Sequence, residues 1–228
     1  KTRAVLELIH LLCLKYPGLY VLIVRKVAKS LPGSALRTYR RDVVHRADGV
    51  KFRGHTASEP AAYLYPNGSQ IIIGGLNDTS LILSTEYDLI YVNEALGTDK
   101  DPSIDLEDYE TLITRLRPQS EGHQPVNSRG EPFRDRRLIC DGNPSHEKHF
   151  MYQREKEVNP RSGRPFLRVI KSYPQDNPAY FNEDGTPTEK GQDYIDKLDA
   201  TTGTRYERYR LGKRVGIQNA IYTTFKQW

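Results

Sequence analysis

Leu89-Ile-Tyr-Val-Asn93-Glu94-Ala95 is an apolar run of strand length that stops at an amide and a carboxylate. A run apolar on both faces is what a buried parallel strand requires, because helices cover both sides of such a sheet. Outward from it, Leu19-Tyr-Val-Leu-Ile-Val24 is a second buried strand and Arg137-Leu-Ile-Cys-Asp141 a third. Ala62–Tyr65 and Ser69–Gly74 flank Pro66-Asn67-Gly68, a hairpin signal, since Asn-Gly accepts the positive φ of a tight turn. Phe166-Leu-Arg-Val-Ile-Lys171 reads as one more strand.

Helical spacing fills the gaps. Val5, Leu8, Ile9, Leu12 and Cys13 recur on one face, so a helix is expected from Thr2 to about Tyr16, closed by Pro17-Gly18. Ser30 is read as the cap of a helix reaching His45, and an acidic helix is read from about Ile104 to Arg117. A polar loop, 118–132, follows it, and Thr188–Leu198 and Gly203–Leu211 read as helices near the end. Strands alternating with helices give an α/β fold with a mostly parallel sheet.

Composition narrows the class. The hydrophobic fraction is 37% and no apolar run approaches the roughly 18 residues of a membrane span, so a soluble, non-secreted protein is expected. Cys13 and Cys140 both lie among apolar neighbours and read as reduced core thiols. Net charge is +5, unevenly spread: residues 1–54 carry 12 Lys/Arg against 3 Asp/Glu, whereas 76–111 carry 1 against 10. The basic front suits a polyanion such as DNA or nucleotide phosphates; equally, the two segments can face each other or solvent.

Two motifs carry chemistry. An apolar strand ending in two acids is the Walker B arrangement, in which the first organises Mg²⁺ through water and the second activates the attacking water. Here Asn93 holds the first position, able to accept a hydrogen bond from metal-bound water but adding no charge, and Glu94 holds the second. Lys1-Thr2 before a helix matches the end of a phosphate-binding loop, where Lys reaches the β and γ phosphates and the Thr hydroxyl binds Mg²⁺. No loop glycines stand ahead of Lys1, so the chain is expected to turn over little ATP by itself. His146 and His149 have metal-compatible i,i+3 spacing, but no further thiol or imidazole completes a set and a capped helix start is expected.

Taken in order, these segments resemble phage terminase large subunits. The resemblance runs through Lys1–Leu8, Val21-Leu-Ile-Val-Arg-Lys26 with Ser30 and Ser34, Tyr63–Gly68 with Gly74-Gly75-Leu76, and Ser84–Asp88 into Tyr91–Ala95. It continues through Thr111–Arg117, Asn143-Pro144-Ser145 with His146 and His149, Gly185–Thr188, Tyr194–Leu198, Thr202-Gly203 and Tyr206–Gly212. It implies a RecA-like P-loop NTPase core over 1–172, a small helical lid subdomain over 173–215, and 216–228 as the lead into a nuclease domain. It also implies an ATPase motor that uses ATP and Mg²⁺ to translocate double-stranded viral DNA into a prohead. The partners it implies are the portal, the small terminase subunit and sister copies in a ring, in the host cytoplasm and without a membrane.

Residue roles follow from that resemblance. Lys1 and Thr2 match the phosphate loop, Glu94 the catalytic carboxylate, and Thr2 and Asn93 the metal side. Asn143 matches the coupling position that senses the γ-phosphate. Arg25, just past an apolar strand run, is read as nucleotide-proximal, DNA-side or a solvated strand end. Arg115 and Arg117 are candidates for the arginine that stabilises the transferring phosphoryl group; as last-turn residues they equally complement their helix dipole. Arg37, Arg40 and Arg41, with Tyr39 among them, are read as DNA-phosphate contacts or a solvated helix face. The alternatives are another nucleic-acid-dependent P-loop ATPase of helicase type, or a fragment without activity.

Overall fold

The computed structural model describes residues 1–77, 79, 82, 84–98, 100–118 and 122–215. The expected lead at 216–228 lies outside them. Six strands form one sheet in the order β2-β3-β4-β1-β5-β6. They are β1 (Tyr20–Arg25), β2 (Lys51–Arg53), β3 (Ala61–Leu64), β4 (Gln70–Gly75), β5 (Leu89–Val92) and β6 (Arg137–Cys140). β4, β1, β5 and β6 run parallel, and the β2-β3-β4 meander is antiparallel. This is the expected mixed, largely parallel α/β sheet.

Burial explains the pattern. Val21, Leu22, Ile23 and Val24 are fully buried, as are Leu89–Val92, and each side chain removed from water contributes about 1.5–3 kcal/mol. Helix α1 (Thr2–Lys15) lays Leu6, Ile9 and Cys13 on the same core. Its last turn is held by the β3–β4 hairpin: Asn67 Nδ2 donates to the Cys13 carbonyl at 2.8 Å, and Ser69 Oγ donates to Cys13 and Tyr16 carbonyls at 2.9 and 3.0 Å. Those carbonyls have no partner within the helix, so the hairpin satisfies them. Gly68, at φ +85, supplies the turn. Beneath α1, His10 Nδ1 meets the Tyr65 hydroxyl at 2.8 Å and Tyr39 joins Tyr65, a polar pin inside the core.

The second helical segment begins later than expected. Pro32-Gly33 intervenes, so the helix starts after Ser34 as α2 (Ala35–Thr38) and continues as a π-helical turn, Tyr39–Val43. Ser30 is not its cap; its hydroxyl donates to Asp101 at 2.9 Å. Helix α3 (Leu106–Thr114) is shorter than expected, opened by a reciprocal Asp105–Asp108 cap.

The chain forms two compact units, Lys1–Gly142 and Asn143–Trp228. The second contains α4 (Phe150–Arg154), α5 (Glu189–Asp199) and α6 (Gly203–Arg205), the last running into a π-helical turn, Tyr206–Arg210. Thr188 caps α5 through Gly191 N–H at 3.1 Å. Phe166–Lys171, expected as a strand, pairs with none: Val169 and Ile170 are 47% and 82% exposed, so no apolar face is buried to hold it in a sheet. No described helix is long and apolar enough to cross a membrane.

Candidate functional site

The parallel register brings three strand tips side by side. Val24 pairs with Val92 and Val92 with Cys140, so Arg25, Asn93 and Asp141 emerge together. The chain leaves β1 toward β4 on one side and returns to β5 on the other, a reversal that opens a crevice at the carboxyl ends of the strands.

Asp141 organises this edge. Its Oδ2 accepts from the Thr2 hydroxyl at 2.5 Å, and its Oδ1 accepts from Asn93 Nδ2 at 3.1 Å and from the Glu94 backbone N–H at 2.8 Å. Asn93, 1% exposed, also donates to the Tyr91 hydroxyl at 3.1 Å. Burial pushes the Tyr91 phenol up, so it stays a neutral partner. Asp141 is the residue that sequence reading missed. Its signal was present: an apolar strand ending in an acid, the same pattern as Leu89–Glu94.

Glu94 sits in the left-handed region at φ 54, the one non-glycine residue among those described to do so. That conformation costs about 1–2 kcal/mol. It is held by Asp141 on its own N–H, by the Ala95 N–H bond to the Asp141 carbonyl at 2.7 Å, and by the Gly97 N–H bond to the Glu94 carbonyl at 2.9 Å. Non-glycine residues held in such backbone by their surroundings cluster at active sites and ligand clamps.

Thr2, Gly33, Ser34, Ala35, Arg37, Thr38, Arg41, Asn93 and Glu94 line a cavity of about 320 Å³. Two motifs far apart in sequence, at Thr2 and at Asn93-Glu94, thus share one wall. Lys1 precedes that wall and is exposed. The three helical arginines separate: Arg37 and Arg41, one turn apart, reach the cavity, whereas Arg40 donates to the Pro32 carbonyl at 3.3 Å.

Arg25 is buried and does not line the cavity. It pairs with Asp101 at 2.8 Å, donates to Ser34 at 3.0 Å and approaches Asn93 Oδ1 at 3.5 Å. Its charge is neutralised by Asp101, and it acts on Asn93. Arg115 is not brought to the cavity. It follows α3, and its carbonyl accepts from Tyr87 N–H at 2.8 Å, ahead of β5 at the opposite end from Glu94. Arg117 pairs with Glu86 at 2.8 Å at that same end. Asn143 opens the second unit. There His149 caps α4, its Nδ1 accepting from Met151 N–H at 3.3 Å. No group of three or more His, Cys, Asp or Glu among the described residues is placed to hold a metal. Cys13 and Cys140 are both free, and burial pushes both thiols up, away from reactivity.

No family profile and no curated protein matches the sequence. Solved structures do. A large terminase from a thermophilic bacteriophage matches with a TM-score of 0.57 at 14% identity, over 92% of this chain and 44% of that one. The same terminase in complex with ADP matches with a TM-score of 0.57 at 13% identity, over 87% and 41%. The chain therefore spans less than half the length of the terminase chains it matches. At such identities the likeness is one of fold: this chain has a large-terminase-like α/β fold.

Proposed function

We propose that the chain is the ATP-hydrolysing part of a viral DNA-packaging motor, moving double-stranded DNA into a prohead. The observation that carries this reading is the convergence of Thr2, Asn93 and Glu94 in the wall of one cavity at the carboxyl edge of a terminase-like sheet, with Asp141 hydrogen-bonded to all three. A related fold holds ADP, and hard oxygen donors at such an edge suit Mg²⁺ carried in with nucleotide. Bound Mg²⁺ would supply charge neutralisation for the phosphates. Lys1, Arg37 and Arg41 supply cationic groups of the kind phosphates need, so Arg37 and Arg41 are assigned to nucleotide rather than to DNA. Glu94 takes the proton-accepting role and Asn143 the coupling role. The reading also places a glycine-bearing loop ahead of Lys1.

The wider assembly belongs to the same proposal: a nuclease domain downstream, a portal and small terminase subunit as partners, and a homo-oligomeric ring working in the host cytoplasm. The test is Mg·ATP hydrolysis by the intact protein with and without linear double-stranded DNA. DNA is expected to raise turnover. No hydrolysis under either condition overturns the reading, and stimulation by single strands alone redirects it to a helicase-type ATPase.

A further inference from the structure

Asp141 is 8% exposed, yet no cation pairs with it among the described residues. Its three partners are a hydroxyl, a side-chain amide and a backbone N–H, all neutral. Arg25, the cation one strand beyond Asn93, is matched by Asp101. Buried carboxylates are ordinarily paired with a cation or bound to a metal, because removing an isolated charge from water is expensive. The bonded group around Asp141 includes the Thr2 hydroxyl, and Asn93 stands where a carboxylate would be expected at the tip of β5.

Resting on the nucleotide-site reading above, we propose that Asp141, at the tip of β6, supplies the negative charge that the divalent cation entering with nucleotide requires, in place of the residue at the tip of β5. The exchange is chemically consistent. Asn93 Nδ2 lies 3.1 Å from Asp141 Oδ1, so carboxylates at both positions would face each other at hydrogen-bond distance and could not both stay ionised. One charge fits the pair. An amide at the other position donates to it and keeps the two strand tips together.

The test is a charge swap in the intact protein, read by equilibrium Mn²⁺ binding (electron paramagnetic resonance) in the presence of ADP, with melting temperature as the folding control. Asp141→Asn should weaken Mn²⁺ binding about 10–100-fold. Asn93→Asp with Asp141→Asn should restore Mn²⁺ binding to within a few-fold of the parent, a recovery that holds the proposal to account even where a single variant folds poorly. Parent-like Mn²⁺ binding in Asp141→Asn, or no recovery in a folded double variant, overturns the proposal. Thr2→Val separates the two levels. If it abolishes metal binding while Asp141→Asn does not, only the role of Asp141 is wrong. If neither changes ADP or Mn²⁺ binding, the nucleotide reading falls with it.

Discussion

Glu94→Gln in the intact protein is expected to lower ATP turnover about a hundredfold or more while leaving Mg·ATP affinity within a few-fold. A positioned general base contributes roughly 10²–10⁴ in rate, and Glu94 is the carboxylate in the cavity wall. Glutamine keeps the size and the same left-handed turn, so the backbone bonds from Asp141, Ala95 and Gly97 persist. Only proton-accepting capacity is lost. Single-turnover hydrolysis paired with equilibrium nucleotide binding separates these effects. Turnover equal to the parent's would remove Glu94 from the chemistry and leave its strained backbone without a purpose.

The largest expected effect on stability lies at the other end of the same strand. Asp88 is fully buried, and its carboxylate joins three segments. It accepts from Tyr20 N–H at 3.1 Å, pairs with Arg136 at 3.1 Å and faces His123 at 3.6 Å. Asp88→Ala leaves the start of β1 and a largely covered guanidinium without that partner. Breaking a buried pair from one side costs about 3–5 kcal/mol; Arg136 is 20% exposed and can partly rehydrate, so about 3 kcal/mol is expected. For a chain of this size that is a fall in Tm of about 6–12 °C. Asp88→Asn, which can still accept from Tyr20 N–H, should fall between. A melting curve unchanged by Asp88→Ala would show that the cluster only decorates the sheet end.

What the sequence made legible was whatever repeats locally. The buried strands at Leu19–Val24 and Leu89–Val92, the Asn67-Gly68 hairpin and the face of α1 all announce themselves by apolar period and turn chemistry. Pairings across long separations did not. Arg25 read as nucleotide-proximal, DNA-side or a solvated strand end, and its ion pair with Asp101, on a loop that follows a different strand, has no local signal. Arg37, Arg40 and Arg41 read as DNA contacts or a solvated helix face; only the fold brings Arg37 and Arg41 to the cavity beside Thr2 and Glu94. Asp141 was hidden by being read as the last residue of its strand; only parallel register against β5 sets it beside Asn93 and Thr2. β2 passed unnoticed because Lys51-Phe-Arg53 buries too little to leave an apolar pattern.

The central claim is that nucleotide phosphates sit at the carboxyl edge of the sheet, among Thr2, Arg37, Arg41, Asn93 and Glu94. Amide hydrogen exchange of the intact protein, compared with and without Mg·ATPγS, tests it most directly. The account predicts protection concentrated in 2–6, 33–41, 93–97 and around Asp141, with 106–115 unchanged. Protection confined to 106–115, or absent from all four of those segments at saturating nucleotide, would contradict it.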